Sequence, residues 1–121
     1  MSRWYDRKGK ALGDLFEWAR LLEDREYCRV AQLVEQMANG ERLRISTVWL
    51  GLDHNFSGQG PPLIFETMVF GGPFDEGQWR WSTEDEAQKG HDIVVQAYRE
   101  NLDPHRLIEA WREDERRESM L

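Results

Sequence analysis

The chain has 121 residues, a single cysteine and 12% aromatic side chains, with 16 Lys and Arg against 23 Asp and Glu for a formal charge of −7. That length fits one domain, the aromatic content excludes a disordered tail, and the acid excess argues against nucleic-acid binding by bulk charge. One cysteine excludes an internal disulfide and a cysteine-rich zinc site. No apolar run is long enough to span a bilayer, and no apolar stretch follows Arg3, Arg7 and Lys8 as it would in a signal peptide. The expectation is a soluble protein of a reducing compartment, 1–121 as a single domain, with 1–10 and 112–121 frayed.

In chain order, Leu12, Leu15, Phe16, Ala19 and Leu22 recur at steps of three and four. This spacing predicts a helix from about Leu12 to Asp24. Residues 27–37 and 42–52 read as strands of a hairpin. Asn39-Gly40 between them suits a type I′ turn, in which both central residues take positive φ. In the second strand Leu43, Ile45, Thr47 and Trp49 share one face. Cys28 falls in the first strand, where a buried structural thiol is expected rather than a nucleophile.

Residues 53–62, with Gly58, Gly60, Pro61 and Pro62, form a loop. The run Leu63 to Phe70 is apolar or Thr except for Glu66, which predicts a central strand covered on both faces. A second loop, 71–78, leads to a short strand at Trp79-Arg80-Trp81. Ser82 and Thr83 followed by acids mark a helix start. Ala87, His91, Val94, Val95 and Tyr98 form that helix's buried stripe, which runs to about Glu100. Asp103-Pro104 caps another helix with Leu107, Ile108 and Trp111 as a narrow apolar face. The predicted fold is α+β: a single antiparallel sheet of about four strands, one N-terminal helix and two C-terminal helices.

Asp53 and His54 leave a strand directly, Glu66 lies mid-strand and His91 sits on a helix. Together they form a conceivable metal set, and His54, Glu66 and His91 would be the centre of a small metal-dependent enzyme. Asp-His-Asn is also ordinary turn material, and no HExxH spacing is present, so no metal is expected. Glu66 requires a partner in an apolar strand; Arg44, Arg80 and His91 are the candidates. Glu66, His91 and Arg44 are thus either a structural network or ligand contacts. The Gly58-Gln59-Gly60 loop lacks the spacing of a phosphate cradle. No catalytic residue set stands out, and no cofactor is expected.

Asp53, His54, Asn55 and Phe56 are the predicted wall of a ligand site. Asp53 and Asn55 would bond ribose or base edges, Phe56 would stack, and Arg80 would hold a phosphate in two-point geometry. Trp49 and Trp81 are further candidate ligand contacts, with a place in the core as the competing expectation. Between residues 42 and 81 three arginines meet four acids, so an anion is better tolerated there than at the acid-rich ends.

The segments Ser46-Thr47-Val48-Trp49-Leu50-Gly51-Leu52-Asp53-His54-Asn55-Phe56 and Gly60-Pro61-Pro62-Leu63-Ile64-Phe65-Glu66-Thr67-Met68-Val69-Phe70, with Arg80-Trp81-Ser82-Thr83 and Gly90-His91, are distinctive. They resemble a family of small proteins encoded by bacteriophages and prophages, over roughly residues 44–95. The resemblance extends to Thoeris anti-defence sponge proteins of the first described type, which are non-enzymatic, oligomerise and sequester cyclic nucleotide-like immune signals. It implies a non-catalytic protein in the cytoplasm of the infected host, a small nucleotide-type ligand and a homo-oligomer, with no direct nucleic-acid or membrane partner. No ligand residue transfers position by position. The alternative is an acidic protein–protein inhibitor of a host nuclease, carried by the seven acids between Glu100 and Glu118. Arg106, Arg112, Arg116 and Arg117 interleave with those acids and make a solvated helix face the simpler expectation.

Overall fold

The computed structural model describes residues 3–121; Met1 and Ser2, the start of the segment expected to fray, lie outside them. Four helices and four strands follow in the order α1 (Leu15–Leu22), α2 (Arg25–Cys28), β1 (Arg29–Gln36), β2 (Arg42–Trp49), β3 (Phe65–Phe70), β4 (Gln78–Trp81), α3 (Glu84–Arg99) and α4 (Pro104–Ser119). The strands form one antiparallel sheet in the order β1-β2-β3-β4. The predicted α+β architecture is therefore the observed one.

Local chemistry sets the boundaries. Asp14 caps α1 by accepting from the Glu17 amide, and Asp24 caps α2 by accepting from the Tyr27 amide. The second cap splits the predicted 12–24 helix from a new helical turn. Tyr27 and Cys28 are helical as a result, and β1 starts two residues later than expected. The Cys28 thiol is half-buried, and burial, followed by the nearby Asp24 charge, pushes its pKa up.

The hairpin turn also differs from expectation. Met37 accepts from the Gly40 amide, the Met37 amide donates to Glu41, and only Gly40 of the Asn-Gly pair has positive φ, at 87°. A turn with one left-handed glycine followed by a bulge satisfies the same strand twist as type I′.

Beyond the sheet, Thr83 caps α3 and Asp103 caps α4, with Pro104 in its first turn. α4 stays helical to Ser119, so most of the charged C-terminal segment is helix rather than tail. The N-terminal segment is pinned from Arg3 onward. Its backbone bridges Trp4 to Leu52 and Tyr5 to Ala11, and the Asp53 amide donates to the Arg3 carbonyl.

α3 lies across all four strands. Beneath it Leu43, Ile45, Thr47 and Trp49 of β2, Phe65, Thr67 and Val69 of β3, and Trp79 and Trp81 of β4 are buried. Val94, Ala87 and Ile108 close the core from the helices. Val95 and Tyr98, expected in the buried stripe, are half-buried, while Gly90 and Ala97 are buried.

β3 departs from its predicted setting. Its apolar run alternates in burial: Phe65, Thr67 and Val69 point into the core, whereas Glu66, Met68 and Phe70 lie on the opposite face. The helices pack on one face only, and Phe70 is 37% exposed. No helix among the described residues is long and apolar enough to cross a membrane.

Candidate functional site

Polar groups inside the core form a chain of bonds. Trp81 Nε1–H donates to Thr67 Oγ1 at 3.0 Å, Thr67 and Thr47 hydroxyls meet at 2.6 Å, and Thr47 Oγ1 lies 2.7 Å from His91 Nδ1. Each hydroxyl has one proton. A single direction satisfies every donor: Trp81 to Thr67, Thr67 to Thr47, Thr47 to His91. His91 is then neutral and accepts at Nδ1, a tautomer inferred from the network. Burial lowers its pKa, against a small opposing effect of Asp92. His91 is thus a core residue bonded through Thr47.

This network makes a pH prediction. A pKa lower in the folded than in the unfolded chain means the unfolded chain binds more protons in between. The stability due to neutral His91 is present above the ordinary value of 6.5 and is lost as the pH falls through the folded pKa. Urea midpoints should fall on acidification through this window. His91→Gln, which retains polar atoms but does not titrate, should show a shallower fall. An identical slope in both proteins would disprove the assignment.

Glu66 lies on the other face of the sheet, so it and His91 cannot share an ion. Its carboxylate, 13% exposed, pairs with Arg80 Nε at 3.2 Å and accepts from the Gln78 side-chain amide. Arg80 is the partner among the three candidates. Arg44 instead sits over the Phe70 ring at 4.3 Å. His54 bonds the Leu52 carbonyl through Nδ1. These three positions rule out the His54, Glu66 and His91 metal set, and no group of three or more metal-binding side chains occurs among the described residues.

The 53–62 loop holds its own shape. Asp53 Oδ1 accepts from the amides of Asn55 and Leu63. The Asn55 side-chain amide donates to the carbonyls of Gln59 and Pro61, and its Oδ1 accepts from Ser57. Asp53 and Asn55 therefore spend these bonds inside the loop rather than on ribose or base edges. Phe56 is different: it is 79% exposed, and its ring meets the His54 ring at 6.1 Å between centroids.

Trp49 and Trp81 are each 1% exposed. Trp49 Nε1–H donates to the Tyr5 carbonyl, and its ring meets Tyr27 edge to face. Both rings are thus packed into the core, as the competing expectation had it, and Trp81 also borders the cleft along β4.

A cleft of about 530 Å³ runs along the outer edge of β4, lined by Leu63, Gln78, Arg80, Ser82, Glu86 and Arg112 among others. Leu63 ties it to the 53–62 loop, since its carbonyl accepts from the His54 amide. Arg112 reaches from α4 to donate to the Arg80 carbonyl at 2.9 Å, and its guanidinium lies 4.8 Å from the Trp81 ring. Burial pulls its pKa down from the guanidinium range while Glu86 opposes this, and an arginine stays cationic regardless. It therefore caps the open edge of the sheet and adds a second cation to the cleft.

The sequence reading missed Arg112 by treating the segment after Trp111 as solvated. The available signal was its spacing: Ile108, Trp111 and Arg112 lie at i, i+3 and i+4, one side of a helix. A scan against protein-family models, a search of curated proteins and a search of solved structures each returned no match.

Proposed function

We propose that this protein is a non-catalytic binder, of the bacteriophage or prophage kind whose pattern it resembles, that captures a small nucleotide-type defence signal in the host cytoplasm and holds it unchanged. The observation that supports this reading is the cleft at β4, where Arg80 and Arg112 share one depression with Gln78 and Ser82. A few hundred Å³ suits a nucleotide-sized ligand. Guanidinium groups recognise phosphate in two-point geometry, and Gln and Ser supply neutral bonds to sugar or base. Phe56 is the loop residue left open to stack on a base.

The test is equilibrium binding to cyclic mono- and dinucleotides, followed by denaturation and mass analysis of what is released. Intact ligand is the expected result. Arg80→Ala, Arg112→Lys and Phe56→Ala should each weaken capture, the arginine changes by about tenfold or more, since a charge-assisted bond contributes about 1.5–3 kcal/mol. Recovery of a converted product would overturn the non-catalytic reading. Full capture by a folded Arg80→Ala/Phe56→Ala variant would remove the site from β4.

A second reading has its own support. Residues 84–119, the two long helices, carry eleven acids against six basic residues. That excess favours an acidic inhibitor that occupies the basic groove of a host nuclease. Failure to retain any nucleotide, with stoichiometric inhibition of such an enzyme, would establish it instead.

A further inference from the structure

We propose that the protein self-assembles head to tail, with the apolar stripe of α1 in one copy seated on the open sheet face of the next. Two exposed surfaces lead there. α1 turns Trp18 and Leu21 toward the domain and leaves Leu15, Phe16 and Leu22 outside, at 46%, 76% and 43% exposure. Sequence periodicity marks these residues as one apolar stripe, and the single chain leaves them exposed. The second surface is the face of the sheet away from α3. There Val34 pairs with Arg44 and Arg44 with Phe70, while Val48 pairs with Glu66. Val34 is 40% exposed and Phe70 is 37% exposed.

Charge selects the occupant. The open sheet face carries Arg29, Arg42, Arg44 and Arg80 against Glu66 alone, in a chain whose formal charge is −7. The segment that presents the apolar stripe, residues 14–28, carries five acids against two arginines. Sheet face on sheet face would oppose arginines, and stripe on stripe would oppose acids. Stripe on sheet face matches apolar to apolar and acid to arginine. The lengths also agree: eight helical residues span about 12 Å, and β1 to β3 is about 10 Å across. Such a contact uses different patches on the two copies, so it closes into a ring or extends as a filament. It shares only Arg80 with the cleft at β4 and requires no nucleotide.

The experiment is light scattering coupled to size exclusion on the full chain, with two variants and their mixture. Phe16→Lys spoils the helix side only, and Arg42→Glu/Arg44→Glu spoils the sheet side only. Wild type should exceed the chain mass of 14.4 kDa, and each variant alone should run at that mass. Mixed, the two variants retain one good stripe and one good sheet face between them and should form a 1:1 pair. If the sheet-side variant loses its native circular dichroism, Val34→Lys replaces it. Wild type that stays a monomer at millimolar concentration would overturn the proposal, as would a variant that assembles alone or a mixture that stays monomeric. A monomer whose sheet face takes up a single-stranded oligonucleotide would assign that face to a polyanion and would equally overturn it.

Discussion

Trp81→Ala is expected to lower the unfolding free energy by about 3–5 kcal/mol. The indole is 1% exposed and sits where the layers of the molecule meet. It packs against Trp111 of α4 at 5.6 Å between centroids, lies beneath the Arg112 guanidinium and starts the buried hydrogen-bond chain through Thr67. Truncation opens a cavity and removes the donor to Thr67 together. Small domains have total stabilities of about 5–15 kcal/mol, so the variant should be substantially unfolded in mild urea. Trp81→Phe bears on the division between the two causes, because it keeps an aromatic ring and most of the volume while losing the N–H donor. Urea titration with an unchanged m-value measures both. A loss under about 1 kcal/mol for the alanine variant would mean that Trp81 does not fill the core as described.

Gly90→Ala should destabilise by about 1–3 kcal/mol although it lies inside a helix. Helix propensity by itself predicts the opposite sign, since alanine is favoured over glycine by about 1 kcal/mol. The local geometry decides. A Cβ at Gly90 would lie 2.3 Å from Cζ2 and 2.4 Å from Cη2 of Trp81. Neither the buried indole nor the helix backbone has room to give. In a Trp81→Leu background the ring is gone, and Gly90→Ala should become neutral or stabilising. That change of sign is a coupling between two touching residues and is read directly from a double-mutant cycle. If Gly90→Ala stabilises the wild-type chain, α3 does not approach the sheet at this point.

Both residues show how the fold was written at two levels. Caps and turns were legible because they depend on a few neighbouring atoms. Asp103 before Pro104, Thr83 before three acids, and Asn39-Gly40 between two alternating runs each mark a boundary by local bonding. The buried face of β2 was legible for the same reason: alternation along one strand assigns Leu43, Ile45, Thr47 and Trp49 to one side. The split between α1 and α2 was harder to read, because Asp24 suits a helix end and a new helix start equally.

The candidate site was less legible. Asp53, His54 and Asn55 look like ligand groups in one dimension, but their bonds close on the loop itself once Gln59, Pro61 and Leu63 come near. Arg80 was recognisable as a candidate, but its partner on α4 was not. Arg112 enters the cleft only because α4 packs beside β4.

Apart from the short α2, the sequence by itself determined the element types, their order and the alternation that gives the sheet a core face. Those properties come from backbone propensity, capping and periodicity, which act over a few residues. The tertiary structure decided which faces were covered. An apolar stripe on α1 or an apolar run in β3 states that a surface is sticky, but not what lies against it. Trp18 and Leu21 turned inward in place of Leu15 and Phe16 because Trp18 Nε1–H bonds the Leu50 carbonyl, thirty-two positions away. α3 and α4 took one side of the sheet and left Glu66, Met68 and Phe70 on the other, because contacts between distant segments are selected by shape and by buried bonds such as Thr47 to His91, and neither is encoded in local periodicity.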